Sequence, residues 1–162
     1  MNMKAYILSL MLLLGISGSV MAKKQVKVSS YIPTETVYIN SEGDGSLTLR
    51  AHGHGSNRND AIKQAAKNAV RDVIFKGVSV PGNPELSKPL VMTVNAQEKY
   101  ASFFNAFFSD GGEYQKFVTS EDRKSGSNKK EKNMVNVKLS TTVRVLRSEL
   151  KFYLIDNGIV NP

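Results

Sequence analysis

The chain has 162 residues, with 22 Lys and Arg against 14 Asp and Glu, no cysteine and no tryptophan, and a formal net charge of +8. That length supports one domain with its own core, and the missing cysteines exclude a disulfide scaffold, a thiol nucleophile and a thiolate metal site. The basic excess favours anionic partners.

Lys4 precedes an apolar run from Ala5 to Gly15, and Val20-Met21-Ala22 stand ahead of Lys23-Lys24. A positive start, an apolar middle and small residues before a cut predict a secretory signal peptide over 1–22 and a single mature domain over 23–162. The run is shorter than the roughly 20 residues that cross a bilayer, so no transmembrane span is expected. With no cysteine there is also no site for a bacterial lipid anchor. The expected location is the periplasm, or the outer membrane or exterior after export, where nucleotides are scarce.

Thr36 to Asn40 reads as a strand, and Ser41 to Gly45 as a Gly-rich turn. Leu47, Leu49 and Ala51 then alternate with Thr48, Arg50 and His52, which predicts a β-hairpin with one apolar and one polar face. The strand ends at Gly53-His54-Gly55. Asn57 is a predicted N-cap, with Asp60 in the first turn of a helix whose stripe is Ala61, Ile62, Ala65, Ala66, Ala69, Val70, Val73 and Ile74. Lys63, Lys67 and Arg71 fall on its polar side, and Gly77 is the predicted stop.

Residues 79–89 carry three prolines and read as a loop, followed by a short extended piece over 90–94. Asn95 is the expected cap of a second helix over 96–109, with Tyr100, Phe103, Phe104, Phe107 and Phe108 as a core stripe and Asp110-Gly111-Gly112 as its end. Residues 114–120 read as a strand, and 122–133 as a polar hairpin loop. Val135 to Val145 alternates apolar and polar residues and is the clearest strand in the chain. A short helix over 147–157 closes the domain, with Leu150, Tyr153 and Leu154 on one side and Gly158 as its stop. These elements predict an α+β fold: a mainly antiparallel sheet with two main helices packed on one face and a short C-terminal helix.

Few chemistries are available. Gly53-His54-Gly55-Ser56-Asn57-Arg58 lies where a dinucleotide fingerprint would, but Arg58 replaces the third glycine, so no nucleotide or other cofactor is expected. The glycines read instead as permitting a tight strand-to-helix turn. Free amides at the helix start, with Arg58, form a candidate anion contact. His52 and His54 are the only histidines and share one side of a strand, as paired metal ligands do. No nucleophile elbow is present, and Glu121 and Asp122 lie beside a solvated loop. Lys124, Lys129, Lys130 and Lys132 make that loop basic, without the interleaved aromatics that base stacking needs.

Two stretches carry a resemblance. One is Leu49-x-Ala51-x-Gly53-x-Gly55 followed by Ala61, Ala65 and Ala69; the other is the Val-rich strand running into Leu146-Arg147-x-x-Leu150. Over residues 46–76 and 134–155 the chain resembles small envelope domains found in flagellar assembly protein T and in a family of outer-membrane lipoproteins. The resemblance implies an α+β domain that binds or scaffolds envelope components, and it supplies no catalytic residues.

The leading expectation is therefore a non-enzymatic envelope protein that binds or assembles with an envelope protein or an anionic envelope component. The alternatives are a metal-binding protein or exported enzyme centred on His52 and His54, and an electrostatic binder of anionic material using Arg58, Lys124, Lys129, Lys130 and Lys132.

Overall fold

The computed structural model describes residues 35–120, 131–133 and 136–161. The predicted leader, together with Lys124, Lys129 and Lys130, lies outside the described residues. The fold is α+β. Strands β1 (Val37–Ser41), β2 (Leu47–Gly55), β3 (Val118–Ser120), β4 (Glu131–Asn133) and β5 (Asn136–Val145) form one antiparallel sheet. The order is β1-β2-β5-β3, with β4 also paired to β5.

The β1–β2 hairpin turns where its Gly-rich sequence predicts. Asp44 accepts a hydrogen bond from the Ser46 amide at 2.8 Å, and Gly45 takes φ +80°, a conformation open to glycine at little cost. Helix α1 (Arg58–Phe75) follows β2 and folds back over it. Asn57 caps it as predicted, its side chain accepting from the Asp60 amide at 2.9 Å. At the other end Gly77 takes φ +75°, and the amides of Leu90 and Val91 donate to the carbonyls of Val73 and Ile74. The predicted extended piece over 90–94 is thus no strand of the sheet. It serves orphan carbonyls in the last turn of α1.

The inward side chains of β2 shrink along the strand, from Leu47 and Leu49 through Ala51 to Gly53. The helix stripe facing them is small as well: Ala61, Ala65 and Ala69 are fully buried. A methyl group built on Gly53 would stand 2.0 Å from the Ala61 carbonyl oxygen, and one on Gly55 would stand 2.5 Å from Asp60 Cβ. Neither glycine has positive φ. Their role is close helix–sheet approach, which corrects the expectation that they serve a tight turn.

The Phe-rich segment is core, as its spacing predicts, but it is not one helix. Tyr100, at φ −112° and ψ 32°, separates α3 (Ala96–Lys99) from α4 (Ala101–Phe107). Asn95 adopts a left-handed conformation and makes no side-chain cap. Phe104, Phe107 and Phe108 are buried and continue through Phe75, Phe117 and Tyr153 as a chain of ring contacts with centroids 4.8–6.3 Å apart. The predicted strand over 114–120 begins as a 3-10 turn, Glu113–Phe117, and only its last three residues join the sheet. Tyr114 and Phe117 are both buried, a three-residue repeat that suits a 3-10 turn and breaks strand alternation.

Three smaller expectations are revised. The loop over 79–89 contains one helical turn, α2 (Pro84–Ser87). The polar stretch over 122–133 ends in strand β4, with Asn133 paired to Asn136. Lys67 does not lie on a solvated face: it is buried, its ammonium 5.4 Å from the Tyr114 ring centre and 3.5 Å from Asp110. Arg71 lies in the same way over Phe108. Aromatic faces next to the helix favour these cations.

Helix α5 (Arg147–Asp156) seats Leu150 and Leu154 in the core. Arg147 is buried and donates to the carbonyls of Glu85 and Lys88 at 3.2 and 3.1 Å, tying α5 to α2. Burial draws its pKa below the usual guanidinium value, and Glu85 opposes that shift. Among the described residues, no helix is long and apolar enough to cross a membrane.

Candidate functional site

The period of two along β2 puts Thr48, Arg50, His52 and His54 on the face of the sheet opposite α1. Register then fixes their neighbours on β5. Thr48 pairs with Arg144, Arg50 with Thr142, His52 with Ser140 and His54 with Lys138. Arg50 and Lys138 are exposed, while both histidines, Ser140 and Thr142 are half-buried. The face is a polar lattice of cations, imidazoles and hydroxyls. Its one apolar neighbour from β1 by register is Val37, opposite Arg50.

The two ends of the lattice differ. At one end Arg144 is 2.7 Å from both Glu42 and Asp44, so that cation is neutralised by the hairpin turn. The hydrogen bond from the Ser46 amide is the first cause that holds the Asp44 carboxyl below its ordinary pKa, and Arg144 adds to it. From Arg50 to His54 the pattern changes: no described side chain forms an ion pair with Arg50 or Lys138, and Glu131 stands in register with Lys138.

Register also joins two candidates that are distant in sequence. Gly55 pairs with Val137, and Val137 pairs with Lys132. With strands about 4.8 Å apart, the Lys132 backbone lies about 10 Å from the strand-to-helix turn that leads to Arg58. The start of α1 is not an empty anion cradle. The Asp60 carboxylate accepts hydrogen bonds from Ser56 Oγ and, at 2.8 Å, from Asn57 Nδ2, so a negative charge already sits there. Arg58 is exposed and itself has an interaction.

His52 and His54 share a face as predicted, but neither imidazole bonds to a described side chain. No group of three or more His, Asp or Glu close enough to hold a metal occurs among the described residues. Ser140 is the cross-strand neighbour of His52, without a hydrogen bond between them.

A second feature is an open cleft of about 570 Å³ between β1 and the end of α1, lined by Thr36, Tyr38, Asp72, Lys76 and Val78 among others. Asp72 is buried in its wall. The carboxylate accepts from Thr36 Oγ1 at 2.5 Å and lies 3.1 Å from Lys76 Nζ, partners that a buried carboxylate needs for structural reasons alone.

Sequence reasoning found His52 and His54 through alternation. It missed Arg50, Lys138 and Ser140 as one surface with them, because that surface exists only once β2 and β5 are paired. Comparison with protein-family models, curated proteins and solved structures gives no match to this chain.

Proposed function

We propose that this chain is an exported, non-enzymatic envelope protein that binds or assembles with anionic envelope components. The observation that carries this reading is the open sheet face, where Arg50, His52, His54 and Lys138 lie side by side while the nearby carboxylates of Glu42 and Asp44 are held by Arg144. The leader pattern over 1–22, the net charge of +8 and the resemblance to small envelope domains support it. Long-range charge of this kind speeds encounter with an anionic surface and weakens as salt rises.

The test is fractionation of cells producing the full chain. The exported form should begin at Lys23 by N-terminal analysis and should sediment with envelope fragments until salt releases it. An intact leader in the exported form, or a protein confined to the cytoplasm, contradicts the proposal.

The shared face of His52 and His54, with Ser140 opposite His52, supports a second reading as a metal-binding protein or exported enzyme. One zinc equivalent on the purified protein, lost in His52→Ala/His54→Ala, would favour that reading over the first.

A further inference from the structure

We infer that the open sheet face is a track for a polyanionic chain, with phosphate groups lying along β2 from Arg50 towards His54. This rests on the reading of the protein as a binder of anionic envelope material, and it names the site and the ligand class.

Successive same-face residues of a strand are about 6.8 Å apart, so Arg50, His52 and His54 present donors at a regular interval. Lys138 stands opposite His54 and Ser140 opposite His52, which widens the row to two strands. Arginine and lysine both hold phosphate oxygens by charge-assisted hydrogen bonds, and imidazole and hydroxyl groups add weaker ones. The track has a direction. At its Arg144 end the carboxylates of Glu42 and Asp44 satisfy the cation and repel an anion. At its other end it runs to His54 and Lys138, where the described residues place no cation-neutralising ion pair. Glu131 of β4 is in register with Lys138, the one acid that pairing sets beside the row.

A flexible chain fits this face better than a bilayer. A peripheral membrane surface inserts apolar side chains beside its cations. Beside the row the exposed apolar residues are two aliphatics of edge strand β1, Val37 and Ile39, while the more exposed Met92, Val94 and Phe152 belong to other elements.

The experiment uses the full exported chain and two probes: inorganic polyphosphate, and vesicles of equal parts phosphatidylglycerol and phosphatidylcholine. Wild type should bind polyphosphate with an affinity that falls steeply with salt. Arg50→Gln/Lys138→Gln should lower that affinity at least tenfold, and should reduce the slope of log affinity against log salt by about two. His52→Asn/His54→Asn should also weaken binding. The control Lys63→Gln/Lys151→Gln removes two exposed charges from other faces and should change affinity less than about twofold. All variants alter exposed or half-buried groups, and unchanged melting curves establish that they fold. Equal losses in the control and in the Arg50/Lys138 variant would overturn the track in favour of diffuse charge. Vesicle binding without polyphosphate binding would overturn it in favour of a membrane surface. If salt still releases the protein from envelope fragments while polyphosphate fails to bind, the track falls and the broader function stands.

Discussion

Gly53 carries a constraint that no other residue type meets. Its missing side chain lets the Ala61 carbonyl and the Ala65 amide approach within the space a methyl would fill. Gly53→Ala should therefore destabilise the protein by about 3 kcal/mol, the upper end of ordinary overpacking. Gly43, whose added Cβ would meet nothing within 4 Å, is the matched control and should stay within about 0.5 kcal/mol on change to Ala. Denaturant midpoints at constant slope decide both. Equal effects would show that the glycines act through backbone conformation after all. Asp44 makes a prediction of the opposite character. Its folded pKa is depressed, so its favourable contribution is present above the unfolded carboxylate value and is lost as pH falls through the folded one. Asp44→Asn keeps the acceptor for the Ser46 amide and removes the charge. Wild type should be the more stable at neutral pH, and the gap should close on acidification below about pH 4. A gap that persists at acid pH would mean that geometry, and not charge, is what the carboxylate supplies.

Among the elements, α1 depends on its small stripe. Ala65→Leu or Ala69→Leu forces volume into a contact with no free space and should cost about 1–3 kcal/mol by denaturant unfolding, whereas Lys63→Gln on the solvated side should cost far less. Lys67 belongs with the buried set, since its stem is covered and its ammonium faces Tyr114 and Asp110. The helix and the long strand β5 were legible because each carries a sustained period over ten or more residues. The aromatic segment was legible as core but not as shape. Its rings recur at helical spacing from Tyr100 onward, and nothing in the residue types around Tyr100 marks the break. The 3-10 turn before β3 was hidden for a similar reason. Tyr114, Phe117 and Val118 are residue types common in strands, and only the three-residue spacing of the buried Tyr114 and Phe117 shows the tighter winding.

For the molecule as a whole, the two faces of the sheet divide the work. One face is closed by α1 and made rigid by side chains as small as a hydrogen atom. The other presents Arg50, His52, His54 and Lys138. The polar side of β2 could be read from its alternation, but its extension across β5 could not, because cross-strand register is fixed by tertiary packing between residues about ninety apart in sequence. The same holds for the corner that brings Lys132 near the Arg58 turn. The role proposed for this face is to hold the protein to anionic envelope material. The most direct measurement is retention of the purified protein on envelope fragments across a salt series, for wild type beside Arg50→Gln/Lys138→Gln. Retention should fall steeply with salt for wild type and should be weak at every salt for the variant. Retention indifferent to salt, and equal in the two proteins, would contradict the account.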